Sequence, residues 1–167
     1  MVRTLCSVNA GTVLGRARAL VHRFRGDGVT CPCCDQLVKV YRRPFNAQMA
    51  RGLIWLVREH ERRVESGTEE WIHVPSAAPG WLLASREFWR CAYWGLIIQR
   101  RNDDPTKRTS GYWKPSPQGA AFVHDNARLP AVALIFDGRV LDTEGPDINV
   151  VAALGKRFDY RELWETL

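Results

Sequence analysis

The chain has 167 residues, 46% of them hydrophobic and 25% charged, with a formal net charge of +6. That composition reads as a soluble globular protein of one domain with small additions. It excludes a membrane-spanning chain, because no apolar run approaches the roughly 18 residues of a span. A basic balance attracts nucleic acid or acidic partners, but arginine outnumbers lysine 20 to 4, so the placement of the charge has to decide what it is for.

Residues 12–25, TVLGRARALVHRFR, place Val13, Ala17, Leu20 and Phe24 on one helical stripe flanked by Arg16, Arg18, His22, Arg23 and Arg25. Such a helix can dock on its own domain, dimerise or lie on a membrane surface. The stretch before Asp27 is acid-free and Arg-rich, as transit peptides are, although the helix already accounts for it. Gly26 and Gly28 end the helix, Leu37 to Tyr41 alternates as a short strand, and Pro44 closes it.

The securest helix covers 46–65, with Asn46 as N-cap and Met49, Leu53, Leu56, Val57, His60 and Val64 on one face. Gly52 inside it marks a close crossing. EWIHVPS reads as a short strand and AAPGWLLA as a turn into a short helix. Ser85 then caps a helix over 85–94, with Phe88, Ala92 and Trp89 facing inward and Gly95 ending it. LIIQRR and YWKPS read as strands on either side of the polar loop NDDPTKRTSG. Pro117 opens the helix PQGAAFVHD. Asp137-Gly138 forms the turn of a hairpin over 131–143, and two short helices follow at about 147–155 and 159–166.

From residue 46 onward the order is helix, strand, short helix, helix, strand, basic loop, strand, helix, which is the order of a winged helix. The expected fold class is α+β. It would have an N-terminal basic helix and knuckle-like segment over 1–44, a winged-helix domain over 45–130, and a C-terminal hairpin with helices over 131–167 packed on that domain.

The stretch YWGLIIQRR…GYWKPSPQGAAF resembles winged-helix regulators of the MarR and PadR kind. The residues that carry the resemblance are Trp94, Gly95, Leu96 and Ile97, then Ser116, Pro117, Gln118, Gly119 and Phe122. The match covers 85–123 well and 46–84 loosely, and the whole chain is similar to small winged-helix proteins encoded by tailed phages. The Pro79-Gly80 segment departs from the clear helix that precedes the recognition helix in that family. The resemblance implies a homodimeric transcriptional regulator on double-stranded DNA. Arg86, Arg90 and Tyr93 would face the major groove from the helix at 85–94. Arg100, Arg101, Lys107, Arg108 and Lys114, on the wing at 99–114, would meet phosphates. The alternative is a winged-helix module that docks on a host protein, such as transcription machinery or a defence complex, without touching DNA.

TCPCCDQLVKVYRR resembles the first half of a zinc ribbon. Cys31 and Cys34 stand in C-x-x-C spacing, which offers Zn2+ two thiolates on one turn. The second pair is missing from the sequence, so Cys33, Cys6, His22, His60 or a second subunit would complete the set. Otherwise the cysteines simply pack. Five cysteines, three of them clustered, do not make a secreted disulfide framework, and a cytoplasmic location is expected. The four histidines are scattered, and no metalloprotease spacing or phosphate-binding glycine loop appears. No enzyme is expected.

Overall fold

A computed structural model describes residues 14–107 and 109–167. The fold is α+β, with short antiparallel sheets among helices. The chain divides into two compact units, residues 1–43 with 134–142 and residues 44–133 with 143–167.

In the first unit, helix α1 covers Leu14–Phe24 and buries Ala17. Leu20 and Phe24, from the expected stripe, are half-buried, while Val13 lies outside the described residues. Strands β1 (Val29–Thr30) and β2 (Leu37–Val38) form an antiparallel hairpin around the CPCC turn. The single strand expected over Leu37–Tyr41 is broken at Lys39-Val40. Val40 donates its N–H to the Arg25 carbonyl at 2.8 Å, which takes the backbone out of the ladder. Strand β3 (Tyr41–Pro44) then runs beside the later hairpin.

The second unit is organised by α2 (Ala47–Glu65). The Asn46 side chain accepts the N–H groups of Gln48 and Met49 at 3.0 and 3.1 Å, as expected of an N-cap. Burial does not follow a single face: Met49, Ala50 and Gly52 through Val57 are all buried. A helix segment apolar on every side belongs inside the core, and α2 is touched by elements from α4 to α7. The expected inward residue Val64 is exposed, because the helix leaves the core before reaching it. At Gly52 a Cβ would meet Phe88 at 3.3 Å and Leu82 at 3.6 Å, which is the close crossing the glycine marks.

After α2 come β4 (Ile72–His73), α3 (Val74–Ala77) and α4 (Gly80–Ser85). EWIHVPS is therefore a strand for two residues only. Pro75 supplies no ladder N–H but fits the first turn of a helix, so the chain turns helical there.

The helix expected over 85–94 needs correction. Ser85 is the last residue of α4, Arg86 is left-handed at φ 53°, and Phe88–Trp94 winds as a 3-10 helix. With three residues per turn, positions three apart share a face. Phe88, Cys91 and Trp94 are accordingly buried, while Ala92 is exposed and Trp89 partly so. Gly95 ends the segment at φ 67°, as expected of a helix-ending glycine.

Strands β5 (Ile97–Gln99) and β6 (Tyr112–Pro115) pair antiparallel, with Ile97 opposite Pro115 and Gln99 opposite Trp113. Strand β4 joins the other side of β6, so the sheet order is β4-β6-β5. Ser116 caps α5 (Pro117–Val123) by accepting the Gly119 N–H at 2.9 Å. The hairpin β7 (Leu129–Phe136) and β8 (Arg139–Ile148) turns on Asp137 and Gly138, both at positive φ as a type I′ turn requires. Helices α6 (Val150–Leu154) and α7 (Tyr160–Thr166) are capped by Asn149 and Asp159.

Gly119 explains the Ser-Pro-x-Gly spacing physically. A Cβ there would lie 2.0 Å from the Leu96 carbonyl oxygen, which already accepts the Ser116 N–H at 3.0 Å. Gly119→Ala is expected to lower stability by about 3 kcal/mol, whereas Gly80→Ala, with no atom within 4 Å of the new methyl group, changes it by less than about 0.5 kcal/mol. Urea unfolding of the two variants checks this, and equal midpoints would contradict it.

Candidate nucleic-acid interface

The hairpin β5-β6 and the loop between its strands carry most of the cations expected to meet DNA. Each of those described is held by a carboxylate. Arg100 meets Glu69 at 2.7 Å, Arg101 meets Asp103 at 3.5 Å, Lys107 meets Asp104 at 3.3 Å, and Lys114 meets Glu70 at 3.0 Å. Lys114 also lies over the Trp71 ring, 4.8 Å from its centroid, and Arg100 over Tyr112 at 5.5 Å. Arg108 lies outside the described residues. Hydrogen bonds from Lys114 hold the Glu70 carboxyl below its usual range, and those from Thr106 do the same for Asp104. Both acids stay ionised at neutral pH and keep their cations occupied.

The segment before the wing is similar. Glu87 accepts the Asn46 side-chain N–H at 3.2 Å and pairs with the Arg90 guanidinium. Arg90 is thus bound to its own turn, three residues from its partner. Tyr93 is half-buried. Arg86 is exposed and has no ion pair among the described residues. The structure places Arg86 just past the end of α4 and Arg90 and Tyr93 along the following 3-10 turn, rather than on one face of a continuous α-helix.

Trp89 is 36% exposed and packs edge-on against Phe88, with Trp113 5.5 Å away between centroids. A groove of about 420 Å³ beside the hairpin has Val57, Ile98, Pro115 and Pro117 among its apolar lining and His60, Glu61, Glu70, Lys114 and Ser116 as its polar members. His60 Nε2 lies 3.8 Å from the Glu70 carboxylate.

The CPCC turn is closed by Cys31 and Gln36 across the hairpin and by the Asp35 N–H donating to the Cys31 carbonyl at 3.0 Å. The backbone amides of Cys33 and Cys34 point at the Cys31 sulfur and hold its thiol below the usual range. Partial desolvation in the turn, then the neighbouring Cys31 charge, push Cys33 the other way. Amides aimed at sulfur are what a two-thiolate knuckle needs. Cys31 and Cys34 make half a tetrahedral set, and among the described residues no group of three or more His, Cys, Asp or Glu is arranged to hold a metal ion. Of the expected completions, Cys6 lies outside the described residues, His22 is bonded to Arg25, and His60 belongs to the second unit. Cys91 is fully buried beside the Met49 carbonyl, as packing predicts.

The acids that hold Arg100, Lys114 and Arg90, which are Glu69, Glu70 and Glu87, were not expected from the sequence. Glu69 and Glu70 stand about 30 to 45 residues from their partners, a separation no local pattern reveals. Only Glu87, three residues before Arg90, carried a readable signal. The aromatic and basic side chains around Tyr41 were not expected either, although the alternation of Lys39, Tyr41 and Arg43 could have shown them on one face.

No helix among the described residues is long and apolar enough to cross a membrane. Comparison with known protein families, with curated proteins and with solved structures finds no match.

The amide geometry at the CPCC turn makes an order of thiol reactivity. Iodoacetamide at about pH 8 should modify Cys31 before Cys33 and leave Cys91 untouched until the chain unfolds. Peptide mass spectrometry over time reads this. Modification of Cys33 ahead of Cys31, or of Cys91 in the folded protein, would contradict it.

Proposed function

We propose that the chain is a nucleic-acid-binding protein without a catalytic role, and that its second unit is a winged-helix module whose wing lies along the phosphates of duplex DNA. The observation that carries this reading is the β4-β6-β5 sheet that follows α2, with α4 and the 3-10 turn between β4 and β5 in the chain and Arg100, Arg101 and Lys107 on the loop that joins β5 to β6. Exposed ion pairs of the Arg101–Asp103 kind contribute only about 0–1 kcal/mol, so phosphates can compete for those cations. A role in transcriptional control and a dimeric state belong to the same proposal, as does zinc on the Cys31–Cys34 knuckle, with further ligands from Cys6 or a second copy. Base reading by Arg90 has less support, since Glu87 holds it.

One observation favours a second reading, docking on a protein. All five described cations of Arg90, Arg100, Arg101, Lys107 and Lys114 have carboxylate partners. Beside them lie the partly exposed Trp89 and the largely apolar groove at Ile98. A mixed-charge surface with an aromatic anchor suits a protein interface.

Fluorescence anisotropy with mixed-sequence duplex DNA separates the readings. Under the first, Arg101→Ala and Lys107→Ala each weaken binding equally across sequences and reduce the log–log salt slope by about 1. Arg90→Ala leaves sequence preference unchanged. If both wing variants bind duplex as the wild type does, or no duplex binds at about 50 mM salt, the wing is a docking surface for protein.

A further inference from the structure

The charge of the chain is unevenly divided. Residues 1–43 and 134–142 hold nine of the 24 Lys and Arg but only four of the 18 Asp and Glu, a net of +5. The other unit holds 15 and 14, a net of +1. Nearly all of the +6 therefore belongs to the smaller unit, whereas the residues that the winged-helix resemblance singles out belong to the other.

That unit also presents aromatic rings among its cations. Tyr41 is 42% exposed. The Lys39 ammonium lies 5.3 Å from its ring centroid and the Arg43 guanidinium 5.4 Å. Tyr41 and Arg43 are two apart on β3, so they share a face of the strand. The Arg25 guanidinium lies 4.9 Å from the Phe136 ring centroid, and His22 lies 5.8 Å from that ring while accepting a hydrogen bond from Arg25. A shallow groove of about 300 Å³ runs between His22, Lys39, Tyr41 and Phe136. Asp137 is the one acid in its lining.

We infer that this groove binds single-stranded nucleic acid, with a base stacked on Tyr41 and the flanking phosphates held by Lys39, Arg43 and Arg25. An exposed ring with cations beside it is the arrangement that takes unpaired bases, whose faces are open, and it gains little from a duplex, whose bases are already stacked. Electrostatics favours an anionic polymer over a single anion, because the excess charge is spread over α1 and β3, which carry five arginines and no acid. A base arriving on Tyr41 displaces one of the cations now over the ring, and that cation is placed to reach the adjoining phosphate. The inference does not rest on the wing, since none of its residues belongs to the second unit.

The test is fluorescence anisotropy of the full chain with a labelled oligothymidylate of about 15 nucleotides, across a salt series. Binding should weaken steeply with salt. Tyr41→Ala should reduce affinity about tenfold while Tyr41→Phe, which keeps the stacking face, stays within about twofold. Lys39→Ala and Arg43→Ala should each lower the salt slope by about 0.7. Arg101→Ala and Lys107→Ala should leave this binding unchanged, so failure of the wing proposal and failure of this one are read separately. Circular dichroism establishes that each variant is folded, and the exposed position of Tyr41 favours that outcome. Absence of binding at about 50 mM salt, or equal affinity in wild type and folded Tyr41→Ala, would overturn the inference. So would capture of anionic lipid vesicles in preference to the oligonucleotide.

Discussion

The second unit depends on the burial of the first half of α2. From Met49 to Val57 nearly every side chain is enclosed, and a helix so enclosed is stable only when other elements cover all its sides. Gly52 lets Phe88 and Leu82 approach its backbone. Asn46 caps it and, through its amide nitrogen, also holds Glu87. The same helix start therefore fixes the turn that carries Arg90, and Trp94 Nε1 donates to the Pro130 carbonyl at 2.7 Å from the end of that turn. Any binding by the β5-β6 hairpin relies on this buried axis, because the strands are only three and four residues long and could not hold their shape alone.

Burial also decides the form of the turn at 88–94. An α-helix with this sequence would bring Phe88 and Ala92 to one face. Three bulky or apolar groups at strict three-residue spacing, Phe88, Cys91 and Trp94, instead favour the tighter 3-10 winding that buries all three. The cost is a short and irregular reader. Its outward positions include Trp89 and an arginine already paired with Glu87, which is why the wing rather than this turn carries the proposal for duplex DNA.

Much of the fold was legible in local chemistry. The Asn46 cap, the helix start at Pro117, the Asp137-Gly138 turn, Gly95 and the two strands around the basic loop all depend on residues close in sequence. What was not legible depends on distant partners. Val64 reads as core from its spacing, yet the helix has left the core there. The Lys114 ammonium reads as a free wing cation, yet Glu70 reaches it across 44 residues of chain. The concentration of charge in the smaller unit was hidden because that unit is assembled from two separate segments, 1–43 and 134–142. Phe136 comes beside Arg25 and His22 only through that assembly.

Both proposals have the chain engage the phosphates of nucleic acid through its surface cations. The most direct measurement is the affinity of the unmodified full chain for nucleic acid, duplex and single-stranded, as a function of salt. Log K should fall linearly with log salt concentration, with a slope corresponding to at least about three phosphate contacts. Affinity that is absent at low salt, or indifferent to salt, would contradict both proposals.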